Sequence, residues 1–485
     1  MVRRSFTLAL LLSLLLAANP SSAQNRRRAA GTNRAAASSS APILERNIRA
    51  ELSFLASDAM QGRGSGTNYE RVAAEYIGSQ FSQFGLEPGG DADTTGSKGF
   101  VQRVPLESVK FTEPPLFSVT SRTDTLKWQY GRDFVVSFLR ATQVSGDLQV
   151  IDPSQTPAKG AIAVVKFASD ASPQQRQDMI RKARAAQAAG VVMLESEANK
   201  KTRESGEAKL PSLGGRIAGD NTADSQFVVI ALKQDAIDTL TSLPAGAKAE
   251  FGGATQSDGG ATWNAVGVLH GSDPSGEAIM LSAHLDHLGV NESLTGDKIF
   301  NGADDDASGC VAVLELARVL AAGPKPKRTI YFACFGSEER GGYGARYFIA
   351  NSPVPLEKIV ADVNFEMLGR PDAKVPPGKL WLTGFERSTL GPELVRNGAA
   401  IVADPHPEQN FFQRSDNYSL ALRGVVAHTV SSFGLHNDYH RPSDDVSKID
   451  FPFMTRAINS MVKPIQWLAN SRYRPSWLPN QQPTR

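Results

Sequence analysis

The chain has 485 residues, 41% of them hydrophobic and 21% charged, a globular balance at a length that suggests two domains rather than one core. Its 52 Lys and Arg are nearly matched by 50 Asp and Glu, for a net charge of +2, so composition points neither to nucleic acid nor to an anionic membrane surface. The two cysteines, Cys310 and Cys334, exclude a disulfide-stapled fold; both lie in apolar stretches, where buried free thiols are the simpler reading and one bridge is the most they allow.

In chain order, residues 1–23 have the layout of a secretory signal peptide: Arg3 and Arg4, an apolar run from Leu8 to Leu16, and a small-residue cleavage site at Ser21-Ser22-Ala23. The run is shorter than the roughly 20 residues a membrane-spanning helix needs, and no later stretch is long and apolar enough, so no span is expected once the signal is removed. Secreted or periplasmic placement follows as the expectation. Residues 24–44, rich in Arg, Ala, Ser and Asn, read as a disordered linker. Ile48, Leu52 and Leu55 then recur at helical spacing. Gly62 to Gly66 reads as a loop, and Tyr69–Leu86 as an amphipathic helix stopped by Gly85 and Pro88.

Residues 111–255 change character. Short β-like runs (Leu148–Ile151, Ala161–Phe167, Val191–Leu194, Phe227–Leu232) alternate with Pro, Gly and Ser, with one helix at Pro173–Ala189. The segment holds no His, and we read it as a β-rich domain inserted into a catalytic domain made of residues 45–110 and 256–470, with a tail at 471–485. From Thr262 on, strands at Asn264–Leu269, Ala278–Ala283, Thr329–Phe335, Ile359–Phe365 and Val425–Val430 alternate with helices such as Ser308–Leu320. That pattern predicts an α/β fold with a mainly parallel central sheet flanked by helices.

The acids and histidines fall at the ends of these strands. Ala278–Ala283 leads into His284-Leu285-Asp286, Thr329–Phe335 into Gly336-Ser337-Glu338-Glu339, Ile359–Phe365 into Glu366, and the last strand into His436 to His440. A loop carrying Asp304, Asp305 and Asp306 precedes a helix. Sites in open α/β sheets form outside the carboxyl ends of strands. Singly, the acid runs would be solvated loops or helix caps, and His440 an ordinary histidine. Together, and without cysteine, they suit zinc or a related divalent ion at a hydrolytic centre, because so many carboxylates at one edge need a cation.

These residues, with Asn264 to Leu269, Ser282 to Gly289, Gly302 to Gly309, Asn364 to Gly369 and Tyr439 to Asp444, resemble the co-catalytic zinc aminopeptidases, the family of aminopeptidase Y and bacterial secreted aminopeptidases. Glutamate carboxypeptidase, glutaminyl cyclase and the transferrin receptor are relatives of that family. Gly160 to Val165 and Gln187 to Val191 are similar, more loosely, to the protease-associated domain often inserted in it. The resemblance implies two zinc ions per chain. Asp305 would bridge them, His284 and Glu366 would complete one site, and Glu339 and His440 the other. Asp286 would hydrogen-bond His284 and fix its tautomer, Glu338 would be the general base, and Tyr439 would donate to the developing oxyanion. Glu366 stands where family members carry Asp or Glu. His287, His436, Asp304, Asp306 and Asp416 are expected to hold loops rather than metal, and His270, His406 and His428 to be structural.

The implied substrate is a peptide with a free N-terminus. A carboxypeptidase or glutaminyl cyclase on the same scaffold is the alternative, and Arg370, Arg414 and Arg441 near the motifs keep a terminal carboxylate in play. A binding module on an inactive peptidase fold should have lost ligands or the base, and this chain has kept them all.

Overall fold

The computed structural model describes residues 42–122, 124–167, 171–206, 208–219 and 226–484. The signal-like segment and nearly all of the expected linker lie outside these residues. Among the described residues, no helix is long and apolar enough to cross a membrane.

The body is built on a ten-stranded sheet. At its centre, Ala278–His284 runs parallel to Thr329–Phe335 on one side and to Ile359–Phe365 on the other, and Ile359–Phe365 runs parallel to Ala427–Ser431. These strands are buried along nearly their whole length, which is why they read as continuous apolar runs. Beyond them the sheet turns antiparallel: Thr255–Leu269 pairs with Thr329–Phe335 and with Val101–Phe111, and Leu380–Leu382 pairs with Ala427–Ser431. The sheet is therefore mixed, with a parallel centre, and not mainly parallel. The reason is chain path: Val101–Phe111 and Thr255–Leu269 leave and re-enter the body around the 111–255 segment and run antiparallel, whereas the central strands are linked through helical crossovers such as Gly309–Ala321.

Helices cover both faces. Gly309–Ala321 is apolar on nearly every side and is buried against Glu45–Leu55 and Phe451–Asn470 in the larger core. Its one acid, Glu315, is fully buried and accepts from Arg318, Asn47 Nδ2 and the Leu44 backbone, so it fastens the start of the described chain to the body. Tyr343–Ala350 and Asn417–Ala421 pack on the opposite face. Residues 471–484 run back over the body, with the Trp477 indole donating to the Gly424 carbonyl.

Most of residues 111–255 form a second, eight-stranded sheet, also mixed. Its strands include Val144–Ile151, Ile162–Val165, Gly190–Leu194 and Val228–Leu232, which overlap the four expected ones, and its own core holds Phe117, Phe134, Phe251 and Ile230. The helix is Pro173–Ala185, opened by a Ser172/Gln175 capping box. The division from the body is less clean than the sequence suggests. Val101–Phe111 and Thr255–Leu269 stay paired past both boundaries, and Ser212–Ile217, from inside the segment, joins the body sheet as an edge strand.

Candidate metal centre

Each central strand ends at the same edge, and the expected ligands gather there. His284 is the last residue of its strand; Glu366 directly follows the next strand over; Glu338 and Glu339 follow Thr329–Phe335 by a short turn. Asp305 comes from the buried turn Ala303–Ser308 that feeds helix Gly309–Ala321. Non-glycine residues with left-handed φ sit at the turning points: Ser337 at 54°, Met367 at 55° and His440 at 55°. Such backbone is costly and persists where surrounding structure over-determines it.

Asp305 is the hub. Its Oδ1 lies 3.1 Å from His284 Nε2, and its Oδ2 lies 3.1 Å from His440 Nε2. His440 Nε2 is also 3.2 Å from Glu339 Oε1. Asp305 Oδ2 and Glu366 Oε2 are buried yet have no hydrogen-bond partner, so the approach of Asp305 Oδ2 to His440 lacks hydrogen-bond geometry. Polar atoms that crowd together without pointing at one another fit a cation between them. Candidate donor atoms form one group on His284, Asp305 and Glu366 and a second on His287, Asp305 and Glu339, sharing Asp305. The set is imidazole and carboxylate with no thiolate, which suits zinc.

The electrostatics agree. Burial pushes the Asp305 carboxyl up, but His284 and His440 outweigh it and hold it well below the usual range. Burial opposes charge on His440 too, yet Asp305 and Glu339 draw its imidazole up to about 10. Glu338 goes the other way: burial, then the nearby carboxylates of Asp416, Glu366 and Glu339, raise it well above an ordinary glutamate despite His284. A glutamate raised in this way, beside a cluster of acids and histidines, is a candidate for proton transfer.

The supporting residues match the expectations in part. Asp306 is buried and accepts from the His284, Gly309 and Met367 backbones, tying the segments of His284, Asp305 and Glu366 together. Asp304 accepts from Gly369 N and His436 Nε2, and Asp444 from the backbones of Asp304 and Asp305. Asp416 is buried with both oxygens unpartnered. Asp286 differs: its carboxylate stands 3.8 Å from His284 Nδ1, and it meets that nitrogen with its backbone oxygen instead, at 3.2 Å. The carboxylate accepts from Ser65 Oγ and from the Glu338 backbone, so it fixes the turn that carries Glu338. His287 faces the centre itself, with Nδ1 2.9 Å from Glu339 Oε1. His406 and His428, which offered no partner in sequence, have them: Asp372 for His406, and Ser388 with the Thr383 carbonyl for His428.

Arg63 and Glu70 were not foreseen. Arg63, almost fully buried, donates to the carbonyls of Leu55, Leu285, Asn301 and Gly302, joining the His284 and Asp305 loops. Glu70 accepts from Ser337 N and Thr262 Oγ, and Gly336 passes so close that a Cβ there would lie 2.6 Å from the Glu70 carboxylate. Only the Gly62–Gly66 loop hinted at this packing.

Tyr439 stacks on His440, ring centroids 3.9 Å apart, and its hydroxyl accepts from Arg414. Burial and the nearby carboxylates raise its phenol. Tyr439 and Arg414 line a small cleft, about 30 Å³, with Glu366, Met367, Trp381, Phe411 and Phe433 and the hydroxyls of Thr383, Thr429 and Ser431. Arg370 is occupied by Asp304, Asp438 and His436.

Residues 264–463 match the model of peptidase family M28. Over 241 residues the chain is 36% identical to a probable zinc metalloprotease of Pyrenophora teres f. teres, covering 44% of this chain and 49% of that protein. Over 118 residues it is 34% identical to leupeptin-inactivating enzyme 1 of Streptomyces exfoliatus, covering 24% of this chain and 25% of that one. The chain thus spans about half, or less, of the length of these curated relatives. The solved aminopeptidase from Aneurinibacillus sp. strain AM-1 is similar at a TM-score of 0.49 and 18% identity, over 91% of this chain and 98% of that one. The strands and loops that carry the candidate site, residues 264–463, are thus similar to peptidase family M28.

Proposed function

We propose that this chain is a secreted or periplasmic zinc aminopeptidase that removes N-terminal residues from peptides with two metal ions bridged by Asp305. The observation that carries the reading is Asp305 itself, one oxygen beside His284 and the other beside His440, each at 3.1 Å. His284 and Glu366 would hold one ion, Glu339 and His440 the other. When bound, the ions supply Lewis acidity, polarising the scissile carbonyl and acidifying the attacking water.

The protein's own groups do the rest. Glu338 takes the proton from the water, a transfer its raised affinity for protons favours, and then delivers it to the leaving amine. Asp286 anchors the Glu338 backbone and so holds the base in place. The Tyr439 hydroxyl, kept protonated, donates to the oxyanion. The cleft beside Glu366, with Met367, Trp381, Phe411 and Phe433 on its apolar side, takes the N-terminal side chain and favours an apolar one. The unpaired carboxylates at the centre suit the substrate's free ammonium.

Arg414 at that cavity supports a second reading, carboxypeptidase activity, because it offers a cation to a terminal carboxylate. Hydrolysis of aminoacyl-anilides with free and with acetylated amino groups separates the two. Cleavage of the free-amine forms alone, Leu and Phe above Asp, is the expected result. Silence on both, with release of C-terminal residues from acetylated peptides, sinks the aminopeptidase reading.

A further inference from the structure

We propose that His287 is a fourth protein donor to the metal site formed by Asp305, Glu339 and His440. The proposal rests on the two-metal reading and deepens it. His287 Nδ1 lies 2.9 Å from Glu339 Oε1 and 3.8 Å from Asp305 Oδ2. His440 Nε2 approaches the same two oxygens at 3.2 and 3.1 Å. Two imidazole nitrogens therefore straddle one pair of carboxylate oxygens. A tetrahedral zinc with bonds of roughly 2.0–2.3 Å spaces its donors roughly 3.3–3.7 Å apart, and the four observed separations bracket that range.

The ring is built into this position. His287 is fully buried, its backbone N–H donates to the Arg63 carbonyl and its own carbonyl accepts from Ser65. The ring lies against Gly302, in the loop that delivers Asp305; a Cβ there would lie 2.6 Å from it, and the left-handed φ of 58° suits glycine. Nε2 is buried with no hydrogen-bond partner, so the polar contact of the imidazole is made through Nδ1, on the side facing the carboxylates.

The two sites are then unequal. His284, Asp305 and Glu366 give three protein donors and leave positions open for water and substrate. Asp305, Glu339, His287 and His440 give four and close the other site, as in sites that retain their ion. The closed site should keep its zinc when the open one exchanges.

The test is chelator-competed Zn(II) and Co(II) titration of the metal-free full chain and of H287N and H287A, with bound metal counted and the visible Co(II) absorption recorded. Asn sets an amide N–H near the position of Nδ1, so H287N can still donate to Glu339 but loses the imidazole ligand. Two binding steps in the parent are expected, with the tighter weakened at least tenfold in both variants. The Co(II) band of that step should lose intensity as water replaces a donor. Parent-like affinity and spectrum in H287N would overturn the assignment and leave His287 as a hydrogen-bond donor to Glu339. If H287A does not fold, H287N alone decides, provided its metal-free melting matches the parent. A parent that takes up only one ion sinks the two-metal reading itself, a result distinct from an unchanged H287N.

Discussion

Glu338 separates catalysis from metal binding at the scale of one residue. It neighbours a ligand, Glu339, and itself makes no close approach to the imidazoles. Glu338→Gln keeps the shape and removes the base. We predict zinc content unchanged by metal analysis and kcat lower by about 10²–10⁴-fold, the usual contribution of general acid–base catalysis. Parallel loss of zinc would move Glu338 into the ligand set. Asp362 tests the electrostatics below the site. Burial raises its carboxyl from 3.8 to about 8. Ser282 Oγ faces both Asp362 Oδ1 at 2.8 Å and Asn364 Oδ1 at 2.9 Å, and its single proton cannot serve both, so a protonated Asp362 completes the set. Between pH 4 and 8 the unfolded chain has released this proton and the folded chain keeps it; ionisation therefore favours unfolding, and stability falls as pH rises through that window. Asp362→Asn removes the penalty. The variant's stability relative to the parent should rise from pH 4 to pH 8 by more than about 1 kcal/mol in urea unfolding; a flat difference contradicts the raised carboxyl. His284, Glu338, Glu339 and Glu366 could be placed at one sheet edge because the strands that lead into them are plain apolar runs. His287 was harder to read: it lies only three positions past His284, and nothing in sequence says that the loop folds its ring back toward Glu339.

At the scale of elements, the site depends on loops from distant parts of the chain being held together. Arg63 is the clearest link, donating over 2.7–2.9 Å to carbonyls of three segments. Arg63→Met leaves those buried carbonyls unpaired. We expect a loss of about 2–4 kcal/mol in denaturant unfolding together with faster zinc release to a chelator. Unchanged zinc release would make Arg63 a fold residue only. Sequence reading located Glu45–Leu55, Asn68–Gln83, Gly309–Ala321 and the parallel strands, where periodicity is strong. It missed the long pairing of Val101–Phe111 with Thr255–Leu269, because residues 255–260 are exposed and polar on both faces and offer no alternation. It also passed over Phe451–Asn470, which carries Pro452 and Pro464 although Met454, Ile458, Met461, Ile465 and Leu468 keep helical spacing in its buried face.

For the whole molecule, metal and fold should be linked, since the proposed ligands come from five separate strands and loops and meet at one edge of the body sheet. Ions that bind only the folded chain stabilise it by mass action, about 2.7 kcal/mol per site at a hundredfold excess over Kd. Chelation should therefore lower the thermal midpoint, and added zinc should restore it; an unchanged midpoint would mean a cluster that holds no tight ion. The segment 111–255 was visible in sequence as a change of composition, but its exchange of strands with the body sheet was not, because strand partners so far apart in sequence leave no local signal. The most direct measurement is anomalous diffraction at the zinc edge on crystals of the zinc-loaded protein. The account predicts two peaks, roughly 3.5–4 Å apart, on either side of the Asp305 carboxylate; a single peak, or peaks away from Asp305, would contradict it.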